Sequence, residues 1–84
     1  MARVEWTSDA LEDLQKLDPA IQKRILKKIS WLQDRFENIT PEPLSGDLAG
    51  AFKIRVGAWR AIYTIEEELI VIQALGHRKE VYKL

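Results

Sequence analysis

The chain contains no cysteine. Disulfides and thiolate metal sites are therefore excluded, and a small domain without disulfides suits a reducing compartment. Long apolar runs are also missing. The longest, Leu69 to Ile72, falls far short of the roughly 20 residues a bilayer span needs. The opening residues MARVEWTSDA hold no apolar segment of the signal-peptide kind. A cytoplasmic location and no membrane partner are expected. There is one histidine, His77, and a lone histidine makes no metal site. Net charge is absent too: 13 Lys and Arg balance 13 Asp and Glu. A free-standing nucleic-acid binder is usually strongly basic, so any charge-driven binding is local.

The 84 residues suffice for one domain, expected over residues 1–84. A domain of this size buries roughly 60–65% of the surface its unfolded chain exposes, which gives one core of modest stability that a bound partner would raise. The charges are unevenly spread. Residues 1–49 hold seven Lys/Arg and nine Asp/Glu, and residues 50–84 hold six and four. Three of those four acids are the run Glu66, Glu67 and Glu68, so the rest of the C-terminal third is basic.

Arg3 to Trp6 alternates polar and apolar, which predicts a short strand. Thr7, Ser8 and Asp9 are good N-cap types, because a short side-chain oxygen accepts from a free backbone N–H. A helix to about Leu17 is predicted, with Leu11, Leu14 and Leu17 on one stripe. Asp18-Pro19 predicts a second helix start. From there Ile21, Ile25, Ile29, Leu32 and Phe36 recur at helical spacing, opposite Lys23, Arg24, Lys27, Lys28 and Asp34. So short a connection predicts an antiparallel helical hairpin. Asn38 to Gly50, with two Pro and two Gly, reads as a loop.

After that loop the apolar period changes from helical to alternating. Phe52, Ile54 and Val56 alternate with Lys53 and Arg55. Gly57-Ala58 fits a two-residue type II′ turn with Gly first, and Trp59 to Ile65 is the returning strand. The glutamate run marks the next turn. Leu69 to Leu75 is the most apolar strand, and a central position is expected for it. With Gly57-Ala58 as the whole turn, Val56 faces Trp59, Arg55 faces Arg60, Ile54 faces Ala61 and Lys53 faces Ile62. One face then carries Phe52, Ile54, Val56, Trp59, Ala61 and Tyr63 for packing on the helices. The other gathers Lys53, Arg55 and Arg60. Arg55 opposite Arg60 is a local repulsion with no acid nearby in sequence, and an anionic ligand would relieve it. The plainer alternative is a solvated basic sheet face. Following the apolar strand, His77, Arg78 and Tyr82 are types used for proton transfer, phosphate clamping and base stacking. A surface histidine and a C-terminal aromatic packed on the core are the alternatives for His77 and Tyr82.

The stretch LxGxLAGxFKIRVGxWRxIYxI over Leu44–Ile65, a short acidic turn, an apolar strand and GHRKEVY over Gly76–Tyr82 together resemble the RelE/ParE toxin superfamily. The segment DALEDLQKLDPAIQKRILKKI resembles that family's N-terminal helical hairpin. The resemblance implies an α+β fold in β-α-α-β-β-β order: an N-terminal strand, two helices, then a small antiparallel sheet.

For RelE-like members it implies a toxin of a type II toxin–antitoxin pair that cuts mRNA on the ribosome. No metal or cofactor takes part, and the RNA 2′-hydroxyl attacks the adjacent phosphate. Carried over by position, Lys53, Arg55, Arg60, Arg78 and Tyr82 form the catalytic set, with His77 as a further acid or base. Arg60 would stabilise phosphate charge, Arg78 would clamp the phosphate or assist the leaving group, and Tyr82 would stack on a base or accept a proton. Lys53 would act as base only with a depressed pKa. Lys23, Arg24, Lys27 and Lys28 are the candidates for ribosomal RNA contacts.

The implied partners are a cognate antitoxin, mRNA with ribosomal RNA, and operator DNA only indirectly through the antitoxin complex. Arg55 stands where close RelE relatives often carry a second lysine. The same resemblance admits a ParE-like inhibitor of DNA gyrase without nuclease activity. It also admits a catalytically silent antitoxin-binding and co-repressor module, which the neutral charge favours. Lys53, Arg60, Arg78 and Tyr82 favour the nuclease.

Overall fold

A computed structural model describes residues 1–83; of the expected 1–84 domain, Leu84 lies outside the described residues. Strand β1 (Arg3–Trp6) leads into helix α1 (Ser8–Gln15), then α2 (Pro19–Asp34). The short strand β2 (Glu42–Pro43) follows, then β3 (Phe52–Val56), β4 (Trp59–Glu66) and β5 (Leu69–His77). The five strands form one sheet in the order β1-β5-β4-β3-β2.

The helix starts follow local chemistry. Thr7 caps α1, its hydroxyl accepting from the Ala10 backbone N–H at 3.1 Å. Asp18 occupies the N-cap position of α2, but its side chain makes no capping bond; Pro19 at the first helical position sets the start instead. Helix α1 ends at Gln15, and Leu11 on its expected apolar stripe is 43% exposed, with Ala10 buried in its place. Helix α2 buries Ile25, Ile29 and Leu32 as its spacing predicts.

The predicted hairpin register holds at every position: Val56 opposes Trp59, Arg55 opposes Arg60, Ile54 opposes Ala61 and Lys53 opposes Ile62. Gly57 takes φ 61°, the left-handed conformation that the first position of a II′ turn requires and glycine adopts without steric cost. Three features depart from the sequence reading. The Asn38–Gly50 loop contains β2, which pairs antiparallel with β3 through Glu42–Lys53 and Pro43–Phe52. Strand β1 joins parallel to β5, so the β2–β5 antiparallel run sits in a mixed sheet. The apolar β5 is interior, between β1 and β4, and β4 holds the centre.

The main core lies between the helices and one sheet face. Ile25, Leu32, Tyr63, Ile70 and Ile72 are its largest fully buried side chains, and each stabilises by about 1.5–3 kcal/mol. A second, smaller core sits on the opposite face, where Ile62, Ala74 and Val81 pack with Leu44 and Ala51. It pins the 44–51 loop and the C-terminal turn (Val81–Lys83) beside the basic strand residues.

Candidate phosphate-binding site

Lys53 stands at the centre of the site. Its Nζ lies 3.9 Å from Glu42 Oε1 and 5.5 Å from the centroid of the Tyr82 ring. Arg55, two residues along the same strand face, donates from Nη2 to the same Glu42 oxygen at 2.6 Å. Glu42 is thus the acid that sequence reading missed. It supplies the counter-charge thought absent beside Arg55, so the repulsion between Arg55 and Arg60 is offset from β2. The signal was the carboxylate itself, within PEP in a stretch read as loop.

Arg60 opposes Arg55 in register. Its Nη1 donates to the Gly57 and Trp59 carbonyls at 2.7 and 2.8 Å. A guanidinium carries five N–H donors. With both Nη1 protons on backbone, the Nε and Nη2 protons keep the geometry of a bidentate fork. Arg60 therefore clamps the hairpin tip while an edge with two donors remains. Arg78 has an exposed side chain, and its backbone N–H donates to the Ala58 carbonyl at 2.8 Å, tying the post-β5 segment to the same hairpin.

His77 lies elsewhere. The β4–β5 register slips between Ile62 and Tyr63: Ile62 opposes Ala74 and Tyr63 opposes Ile72, leaving Gln73 as the extra residue. A bulge of this kind rephases the strand. Ala74 and Gly76 then turn to the basic face, and Leu75 and His77 to the helix side. His77 opposes Trp59 and meets its ring edge-on at 5.6 Å. Its Nδ1 accepts from the Lys79 backbone N–H at 3.2 Å. His77 thus faces away from Lys53, Arg55 and Arg60, which corrects its expected role as their acid or base.

The α2 cations divide. Lys23 is exposed. Arg24 reaches the hairpin tip, where a Cβ on Gly57 would lie 2.9 Å from its Nη2. Arg24, Lys27 and Lys28 line one cleft with Trp31 and Val56, and Lys28 and Trp31 continue into another with Glu42, Lys53 and Arg55. The helix cations and the strand cations thus form one band around the outer edge of β3. Trp31, which sequence reading passed over, is 36% exposed with Lys28 Nζ 3.9 Å above its ring. No described helix is long and apolar enough to cross a membrane.

Comparison with known proteins agrees with this architecture. The profile of the family described as "ParE toxin of type II toxin-antitoxin system, parDE" matches residues 4–82. The chain is 33% identical over 82 residues to toxin RelG of Mycobacterium tuberculosis, covering 95% of this chain and 94% of that one. In structure it is similar to the toxin–antitoxin complex RelBE2 of the same organism, with TM-score 0.81 and 32% identity over 92% of this chain and 98% of the matched one. The isolated RelE toxin of Escherichia coli shares the fold, with TM-score 0.75 and 22% identity over 99% of this chain and 93% of that one. Matched along nearly its whole length in both sequence and fold, the chain belongs to the RelE/ParE superfamily of type II toxin–antitoxin toxins.

Proposed function

We propose that this toxin is an endoribonuclease that cleaves mRNA on the ribosome by attack of a 2′-hydroxyl on the adjacent phosphate. The observation that carries the reading is Lys53, with its ammonium 3.9 Å from the Glu42 carboxylate and 5.5 Å from the Tyr82 ring centroid, on a face shared with Arg55 and Arg60. That grouping supplies a proton acceptor, cations for a dianionic phosphorane and a surface for a base. A gyrase inhibitor needs none of these together.

The 2′-oxygen bonds to phosphorus while its proton passes to an acceptor. Arg55 and Arg60 remain protonated and cannot serve. Glu42, an acceptor-only carboxylate when ionised, takes the proton. Charge then builds on the non-bridging phosphate oxygens, where Lys53 and the open fork of Arg60 meet it. The bond from phosphorus to the 5′-oxygen breaks, leaving a 2′,3′-cyclic phosphate. The leaving oxygen needs a proton, and the Lys53 ammonium, with three donors, provides one. Arg78 adds a second clamp from the hairpin side. Tyr82, 37% exposed, offers its ring to a base beside the cut. The band from Arg55 round to Lys28, Lys27 and Arg24 carries ribosomal RNA phosphates. When the toxin is not bound to a ribosome, a cognate antitoxin covers it.

The test is purified protein added to a translating extract, with mRNA ends mapped by primer extension and gyrase supercoiling assayed in parallel. New 5′ ends within codons that disappear in Lys53→Ala support the nuclease. Loss of supercoiling with intact mRNA overturns it in favour of the gyrase inhibitor. Silence in both assays, with antitoxin binding retained, leaves a co-repressor module.

A further inference from the structure

Strand β1 ends at Trp6, opposite Ile72, and the Thr7 N–H donates to the Ile72 carbonyl at 3.1 Å. Past Ile72 the pairing of β5 with β1 stops. Side chains from α1 and its cap take over along that edge. The Thr7 hydroxyl donates to the Gln73 carbonyl at 3.2 Å. Asp13 Oδ2 accepts from the Leu75 N–H at 3.0 Å, a bond between residues 62 apart in sequence. The two bonds lie on either side of Ala74, at the bulge where β5 changes phase against β4. Gln73 Nε2 also donates to the Thr64 hydroxyl at 3.1 Å, which ties the extra residue to β4. A half-buried backbone N–H without a partner is costly, so Asp13 stabilises this particular path of the strand.

The bulge decides on which face the C-terminal residues arrive. With it, Leu75 opposes Ala61 in the main core and Gly76 opposes Arg60. Regular antiparallel steps from the Tyr63–Ile72 pair would instead set Gln73 opposite Ile62 and Leu75 opposite Arg60. A leucine would then stand on the basic face, and Gly76 would turn to the helix side. The tail depends on that glycine. Val81 sits on Gly76, where an added Cβ would lie 3.1 Å from Val81 Cβ. The next residue, Tyr82, has its ring centroid 5.5 Å from Lys53 Nζ.

We infer that Asp13 is a positioning residue for the Lys53–Tyr82 pair. Its carboxylate fixes the bulged register of β5 and, through Gly76 and Val81, sets the Tyr82 ring beside Lys53. The inference rests on the nuclease reading for the reaction that this pair serves. An ionised carboxylate suits the task because it only accepts, and its bond to an N–H is stronger than that of a neutral acceptor. Burial of Leu75 favours the same register. Loss of Asp13 therefore loosens the strand end and the tail, while the core keeps the chain folded.

The test reads the tyrosines directly. The chain has two, Tyr63 in the core and Tyr82 beside Lys53. Fluorotyrosine labelling of the whole protein thus gives two fluorine NMR signals, assigned with Tyr82→Phe. Single-turnover cleavage of mRNA on ribosomes is followed in parallel. In Asp13→Ala the Tyr82 signal should move toward its position in Lys53→Ala while the Tyr63 signal stays. Cleavage at saturating toxin should slow by about tenfold to hundredfold, the effect of a displacement of about 1 Å. Asp13→Asn keeps an acceptor oxygen, and should return the signal and bring the rate within about threefold of wild type. Ile29→Val, a buried change in α2 that lowers stability, should leave the Tyr82 signal in place. That variant separates positioning from general destabilisation. An unmoved Tyr82 signal in Asp13→Ala overturns the inference whatever the rate does. Movement of both tyrosine signals, loss of the folded spectrum, or an equal movement in Ile29→Val overturns it too, since Asp13 would then serve the fold at large. So does a moved signal with an unchanged cleavage rate, or a failure of Asp13→Asn to restore signal and rate. A Tyr82 signal that moves in Asp13→Ala and returns in Asp13→Asn, with no cleavage even by wild type, upholds the placement of the ring and removes the nuclease.

Discussion

Val81 sits directly on Gly76: a Cβ added to Gly76 would lie 3.1 Å from Val81 Cβ and 3.3 Å from its Cγ2. The glycine is needed here for close approach, since its φ is not left-handed. In an open strand, alanine would gain stability by restricting the unfolded chain. Here the tight contacts are to Val81 Cβ and Cγ2, so the buried Val81 must shift by a few tenths of an ångström within the second core. Gly76→Ala is expected to destabilise by about 1–3 kcal/mol, as overpacking does. It should also move Tyr82 away from Lys53. Urea unfolding reads the first effect, and quenching or chemical-shift change at Tyr82 reads the second.

Glu42 and Arg55 form an exposed pair, worth at most about 1 kcal/mol. Glu42→Gln should therefore change the unfolding midpoint little. If its carboxylate takes the 2′-hydroxyl proton, single-turnover cleavage falls by roughly 10²–10⁴. A variant with normal stability and normal cleavage would remove Glu42 from the chemistry. Rate and stability together separate the two roles, because a structural salt bridge would alter both or neither.

Much of this arrangement was readable from the residues. Alternation in FKIRV, the Gly-Ala turn and the opposing WRAIY fixed one register, since a one-residue slip would bury Lys53 and Arg55. The helices followed from the isoleucine spacing and Pro19. Two things were hidden. Strand β2 has two residues, one of them proline, so it has no period to detect; without it Glu42 had no place near Arg55. The Gln73 bulge leaves no mark on an apolar run such as LIVIQAL, yet it decides which face His77 occupies. Local pattern gave the elements, whereas the second core under Val81 depends on contacts far apart in sequence.

Burial holds the Tyr63 hydroxyl above its ordinary pKa near 10, and the Glu42 carboxylate pushes it in the same direction. The folded state thus holds this proton more tightly than the unfolded chain. The resulting stability is intact below about pH 10 and is lost as pH rises through the folded value. Thermal melts between about pH 9 and 11.5 should show Tm falling more steeply in the wild type than in Tyr63→Phe. Parallel slopes for the two proteins would show that Tyr63 titrates alike in both states.

Glu67 is the one described non-glycine residue with positive φ, at 58°. It lies in the two-residue connection between Glu66 and Leu69, which oppose each other at the end of the β4–β5 pair. A left-handed conformation costs a residue with a Cβ roughly 1–2 kcal/mol, and the flanking glutamates add like-charge repulsion that salt screens. Glycine removes the steric cost and one charge, but frees the unfolded chain by roughly 0.5–1 kcal/mol. The gain should exceed the loss, so Glu67→Gly is expected to raise stability by up to about 1 kcal/mol at low salt. The margin should shrink in 1 M salt, where the charge term fades and the steric term remains. Denaturant midpoints at the two ionic strengths separate those terms. A Glu67→Gly protein less stable than wild type at both would mean that the turn bears its glutamate without strain.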